Sequence, residues 1–215
     1  LASVSADRTF KLFDISDQRC LLNQEIEGYL PTNMVFTPEG GKFAILSLSY
    51  NDCEYDGNCE IRVIDLAQLH ETTFALKTRD RPEGMSFLDA QTLLIGDWSG
   101  DLTFLDISTG QERRQDFSDS IYSLAWNPEL QSLHIAHFEG ISLFSEHFSE
   151  GDDSDLDEAR FLFQHPSEIE TLTIDRDSEV LAFATSDTVR LLNPENKVIL
   201  KQYQVTKGSS ASLAL

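Results

Sequence analysis

The sequence predicts an all-β chain assembled from copies of one four-stranded antiparallel unit. Three observations predict it. One segment type recurs along the chain, its copies roughly 40–50 residues apart. Within each copy apolar and polar residues alternate, which is the period of a half-buried strand. Turn signals rich in Gly, Pro, Asp and Asn punctuate the copies, and no convincing long helix interrupts them. The stretch 66–72 is the one helical-looking patch, and it is short.

The recurring segment opens on a small residue, passes an Asp or Gly turn, runs as an alternating strand and stops on a polar residue. Its copies are SADRTFKLFD (5–14), GNCEIRVIDL (57–66), DWSGDLTFLD (97–106), FEGISLFSEH (138–147) and TSDTVRLLNP (185–194). Their polar stops align as Asp14, Asp65, Asp106, Ser145 and Asn193. A second segment type precedes each of the last four copies: NMVFTPEGGKFAIL, GMSFLDAQTLLIG, SLAWNPELQSLHIA and TLTIDRDSEVLAFA. Each begins with a short alternating strand, as in Met34 with Phe36 or Leu172 with Ile174. A turn follows at 38–41, 89–91, 128–130 or 176–178. Then comes an apolar run suited to a buried strand, such as 43–48 or 180–184. The last strand of each unit is more polar, at 20–27, 73–78, 112–117, 159–164 and 198–205, as an outer edge facing water should be. This fixed order favours a β-propeller of four-stranded antiparallel blades, with about five visible. The expected blades are 1–30, 31–80, 81–118, 119–166 and 167–207, with 208–215 starting or closing another.

At this point the residues resemble the WD-repeat family over nearly the whole chain. SADRTFKLFD is similar to that family's turn and third strand. Phe13 and Asp14 stand where its Trp-Asp pair would be, and Asp7 stands at its tight-turn Asp. Asp187 takes the corresponding place in the fifth copy. His165, in HPSEIETL, sits where the Gly-His motif would place its His, with Gln164 in place of the Gly. No copy has Trp-Asp. The resemblance implies a protein-binding platform and frames the chain ends. Residues 1–4 read as a second strand with no first, and 209–215 as a first strand with no second. Two arrangements follow: a piece of a larger ring, seven-bladed by that family's habit, or a closed five-bladed ring.

Charge bounds the partners. Lys and Arg total 16 against 37 Asp and Glu, a net charge of −21. Such a field repels a phosphate backbone, so direct nucleic-acid binding is disfavoured and a basic protein partner fits better. Plain solubility is the other reading of the same charge. No run of about 18 apolar residues would span a bilayer, and no signal peptide opens the chain. The chain starts at Leu1, so a processed or truncated start stays open. Cys20, Cys53 and Cys59 are too few and odd in number for a disulfide framework, which points to an intracellular, reducing compartment, cytoplasmic or nuclear.

Candidate sites divide into loops and surfaces. Residues 50–60, YNDCEYDGNCE, read as an exposed loop between two strands, with a Cys53–Cys59 disulfide or a metal site as alternatives. Residues 149–158, SEGDDSDLDE, read as a solvated acidic loop. A calcium site at Asp153, Asp155 and Asp157 would need a Gly that is missing. A docking strip for a basic partner and phosphorylation at Ser149 or Ser154 are the other readings. His134 and His137, three apart on a strand, point to opposite faces and cannot share a metal. No Ser-His-Asp order, phosphate loop or paired-cysteine motif emerges, so no cofactor and no catalytic residue are expected. What remains is a loop surface, and interfaces favour Trp, Tyr and Arg. The partner-binding candidates are Arg8, Tyr29, Arg79, Arg81, Trp98, Tyr122 and Phe138, with inter-blade packing as the alternative for Trp98 and Phe138. Arg79 and Arg81 could pair with carboxylates such as Asp80. The expected function is a scaffold or adaptor subunit of a larger complex. An enzyme or ligand-binding propeller acting through a central channel is the second reading.

Overall fold

Successive side chains of a strand point to opposite faces. An uninterrupted apolar run is therefore satisfied only when both faces of its sheet are covered. A computed structural model shows how the chain meets that demand; it describes residues 1–51, 54–117, 119–145, 160–165, 168–175 and 180–205. Among these residues the chain forms strands and no helix.

The first sheet contains β1 (Ala2–Val4), β2 (Thr9–Asp14) and β3 (Arg19–Glu25). The second contains β4 (Leu30–Phe36), β5 (Lys42–Asn51), β6 (Glu54–Asp65) and β7 (His70–Lys77). The third contains β8 (Pro82–Phe87), β9 (Thr92–Asp97), β10 (Asp101–Asp106) and β11 (Glu112–Asp116). The fourth contains β12 (Ser123–Asn127), β13 (Ser132–His137), β14 (Gly140–Ser145) and β15 (Arg160–Gln164). The fifth contains β16 (Thr171–Ile174), β17 (Leu181–Ala184), β18 (Thr188–Asn193) and β19 (Val198–Gln204). Every strand pairs antiparallel with its sequence neighbours, so each sheet is a meander. The sheets stand as the blades of a five-bladed propeller, the first with three described strands and the others with four. The first strands β4, β8, β12 and β16 pack on one another in chain order, and β1 packs on β4.

Four apolar clusters seal the four junctions between consecutive blades. Phe10, Leu12 and Ile26 meet Phe43, Ile45 and Ile64 at the first. Leu46, Leu48 and Ile61 meet Met85, Leu93 and Ile95 at the second. Leu94, Leu102 and Phe104 meet Ile121, Leu133 and Ile135 at the third. Ala136, Ile141 and Leu162 meet Leu172, Leu181 and Phe183 at the fourth. The run along β5 is divided by its pleat: Phe43 and Ile45 enter the first junction, while Ala44, Leu46 and Leu48 enter the second. The same division along β9 sends Leu93 and Ile95 one way and Leu94 the other.

The first strands have a second problem. Each pairs with one neighbour, so its other edge would leave backbone groups unpaired around the propeller axis. Side chains from the preceding blade help to cover them. Asn33 Nδ2 donates to the Glu83 carbonyl at 2.8 Å. Ser86 Oγ accepts from the Trp126 amide at 3.2 Å. Ser123 Oγ accepts from the Leu172 amide at 3.1 Å. One polar stitch thus joins each first strand from β4 onward to the next.

Two sequence expectations are corrected. The helical-looking patch 66–72 is a turn leading into β7, because Asp65 Oδ1 accepts the Ala67 and Gln68 amides and turns the chain back. The supposed loop 50–60 is largely strand, because β5 and β6 stay paired out to Asn51 and Glu54. Cys59 is buried opposite Leu48 in the second junction, and burial pushes its thiol up to about 12. Cys53, the acidic run 149–158 and the segment 208–215 lie outside the described residues.

The junctions set the stability. Phe43 is fully buried, with its ring edge-on to Phe10 at 6.1 Å. Phe43→Ala is expected to cost about 3–5 kcal/mol of unfolding free energy, measured by urea titration. Phe36→Ala, at a ring left 40% exposed, should cost much less.

Candidate interaction face

An antiparallel meander returns its chain to the same end on every second connection. The links between blades and the hairpins joining second to third strands therefore share one end of the propeller, here termed the loop face. Hydrogen bonds confirm it. The Trp98 amide donates to the Arg81 carbonyl at 3.1 Å, and the Ile121 amide donates to the Asp97 carbonyl at 2.9 Å. All seven partner-binding candidates fall on connections at this face.

The centre of the face is the hairpin between β9 and β10. Asp97 Oδ1 accepts the amides of Ser99 and Asp101, each at 2.9 Å, and shapes the turn. Gly100 has φ +88°, and a Cβ there would lie 2.8 Å from the Asp119 carbonyl oxygen. Gly96 is required for the same close approach, because a Cβ there would collide with Ile121. The hairpin is thus gripped from both sides, and Ser120 Oγ donates to the Trp98 carbonyl at 2.6 Å. On this support the Trp98 indole donates its Nε1–H to Glu83 Oε2 at 2.6 Å and lies edge-on to Tyr122 at 6.1 Å. The Arg81 guanidinium sits 5.3 Å from the indole centroid and pairs with Glu83 Oε1 at 3.3 Å.

The other candidates divide into exposed and engaged. Phe138 is 66% exposed in the hairpin between β13 and β14, so it does not pack between blades. Arg8 is exposed in a backbone of φ +64°. Tyr29 packs on the first junction. Arg79 Nε pairs with buried Asp101 at 3.0 Å. Asp80 takes the Arg81 backbone amide, at 2.7 Å, and the two arginine side chains pair elsewhere.

The residues singled out as structural sit in turns or junctions. Asp14, Asp65 and Asp106 each bend the turn to the fourth strand by accepting backbone amides with Oδ1. The hydroxyls of Ser16 and Ser108, together with these amides, hold the Asp14 and Asp106 carboxyls below the usual range. Phe13 is half-buried at a bulge facing Cys20. Asp7 accepts from the Thr9 hydroxyl at 2.6 Å and amide at 3.0 Å, which lowers its pKa. Asp187 accepts from the Thr185 hydroxyl at 2.9 Å. His165 is buried, stacked on Phe163 and edge-on to Phe183, with Nε2 against Arg190 Nη1. A guanidinium only donates, so His165 Nε2 accepts.

Sequence reasoning missed one arrangement. His137 Nδ1 lies 2.8 Å from Asp119 Oδ2, and its Nε2 lies 2.9 Å from Ser142 Oγ. The carboxylate can only accept, so Nδ1 donates and Nε2 takes the serine proton's hydrogen bond. The partners come from an inter-blade link, the end of β13 and β14, so only the folded register brings them together. Arg79 with Asp101 and His165 with Arg190 likewise tie an inter-blade link to the blade that follows it, there at the third strands β10 and β18. One topological link is made with three chemistries.

Inside the ring of first strands lies a cavity of about 530 Å³. Its wall presents Asn33, Ser123 and Thr171 toward the loop face, and Phe36, Trp126 and Ile174 toward the opposite turns. Among the described residues no group of His, Cys, Asp and Glu is placed to hold a metal ion, and no helix is long and apolar enough to cross a membrane. The chain matches no protein-family model, and no curated protein matches it in sequence.

His134 is 1% exposed, and its Nδ1 has no partner among the described residues. Burial pushes its pKa down from 6.5 to about 4. The native state therefore favours the neutral ring, and the unfolded chain binds the extra proton first. Stability from this residue is fully present above pH 6.5 and is lost as pH falls toward about 4. Urea titrations across that window should show the loss, and His134→Leu should remove its share of the slope.

Proposed function

We propose that the protein is a non-catalytic scaffold of the WD-repeat kind, acting inside the cell, whose loop face docks protein partners. The observation that carries this reading is the Trp98–Tyr122–Arg81 cluster. It gathers the residue types that dominate binding hot spots on a hairpin whose backbone is held from both sides. A surface ordered before contact loses less entropy on binding. The WD-repeat assignment draws on the repeat order, the turn aspartates and the place of His165.

A catalytic reading has one specific observation behind it. Asp119, His137 and Ser142 have the connectivity of an acid–base–nucleophile chain. Ser142 and His137 are only 5% and 4% exposed, however, and the serine lies within the sheet. A nucleophile must reach its substrate, so we read the chain as a lock between the third and fourth blades. The axial cavity is walled by amide, hydroxyl and apolar groups, and none of its lining residues carries an acid or base side chain.

Two measurements check the reading. Proximity labelling in cells should yield a reproducible partner set that Trp98→Ala with Tyr122→Ala loses, while both proteins stay folded by circular dichroism. Retention of every partner by that variant would overturn the docking face. A fluorophosphonate probe should leave Ser142 unlabelled, and stoichiometric labelling there would establish the catalytic reading instead.

A further inference from the structure

On the premise that the loop face is the docking face, we propose that Trp98 and Tyr122, with Glu83 bonded to the indole and Glu168 and Glu170 on the inter-blade link before β16, receive a lysine or arginine side chain from a basic segment of the partner. Trp98 remains 37% exposed after its contacts with the protein itself. The ring already takes one cation, because Arg81 lies over it at 5.3 Å. That cation is engaged by Glu83, whose other oxygen holds the indole N–H. Glu168 and Glu170 flank the buried Ile169 just before β16, and neither has a cationic partner among the described residues.

The titration behaviour of the cluster agrees. Burial, then the charges of Glu83 and Glu170, holds the Glu168 carboxyl above the usual range. Burial, then the charge of Glu168, with Asp119 and Glu83 behind it, raises the Tyr122 phenol. Burial leads both shifts, and neighbouring carboxylates add to each. A neutral or acidic side chain would leave that repulsion in place. A cation relieves it and meets the negative face of an aromatic ring. The net charge of −21 would steer a basic segment toward the protein from a distance, while these carboxylates decide where it lands.

The test uses the full chain labelled with nitrogen-15. Its two tryptophans give two indole N–H signals, assigned with Trp126→Phe. The probe is the peptide acetyl-Gly-Lys-Gly-Arg-Gly-amide, and acetyl-Gly-Glu-Gly-Glu-Gly-amide is its control. The basic peptide should shift the Trp98 signal saturably, and added salt should weaken it. E168Q with E170Q should weaken it about tenfold while leaving the rest of the spectrum in place. No shift, an equal shift with the acidic peptide, or unchanged binding in the double variant would overturn the proposal. The partner set separates this failure from that of the docking face. If E168Q with E170Q retains partners that Trp98→Ala with Tyr122→Ala loses, the cation chemistry falls and the docking face stands. If both variants retain all partners, the docking face falls and the cation site with it.

Discussion

A sheet with two apolar faces cannot be satisfied by one neighbour, and most of this structure follows from that constraint. A sandwich covers one face of each sheet and leaves the other to water. Here β5 and β9 are buried on both sides, so each of their sheets must stand between two others. Packing sheets face to face around an axis is the arrangement that repeats this condition from blade to blade. It also decides where polarity is allowed. Fourth strands at the rim face solvent and are mostly polar, whereas polar residues buried on the second and third strands, such as His137 and Ser142, are costly there unless they are bonded.

The axis imposes the complementary requirement. First strands converge with one edge unpaired, and a buried unpaired amide costs about as much as a lost hydrogen bond. Asn33, Ser86 and Ser123 each help to cover the next blade, so the inner ring is joined by side chains as well as by packing. A second set of ties, farther out, runs through Arg79–Asp101, Asp119–His137 and His165–Arg190. Each of these three pairs ties an inter-blade link to the blade that follows it, and each combines a different two of Arg, Asp and His. What the fold requires there is a directional polar contact between an inter-blade link and the next blade, and an ion pair or a histidine bond serves equally well. The blade geometry therefore does not depend on one fixed residue pair at these ties.

This separation explains what could be read from the sequence. Strand order and blade count were legible because they rest on alternation and on turn residues such as Asp14, Asp65, Asp106 and Gly40, all of which act locally. The loop-face candidates were legible as residue types, and they share one face because connections of the same parity always do. The extension of β5 and β6 through residues 50–60 was hidden by polar side chains, since a two-stranded ribbon beyond the core needs pairing more than apolar residues. Pairing of Arg79 and Arg81 with carboxylates was legible as a type, and Arg81 finds its sequence neighbour Glu83, whereas Arg79 reaches Asp101 and Asp80 takes the Arg81 backbone amide. The Asp119–His137–Ser142 chain had no local signal, because Asp119 reaches His137 only from an inter-blade link and Ser142 reaches it only through the pairing of β13 with β14.

The Trp98 platform shows how one hairpin serves both stability and recognition without conflict. Its inward groups belong to the fold. Asp97 is buried and shapes the turn, Gly96 admits Ile121, and Gly100 admits the Asp119 backbone. Its outward groups contribute little to the core, because Trp98, Arg81 and Glu168 keep much of their surface in water. Changes at the outward positions can therefore alter what binds while the junctions beneath hold the backbone still. The cost falls on electrostatics: carboxylates crowd an aromatic pair, and their mutual repulsion persists in the free protein. Glu83 stands on β8, and Glu168 and Glu170 stand just before β16, so the supports of the hairpin do not depend on that repulsion, which remains to favour an arriving cation.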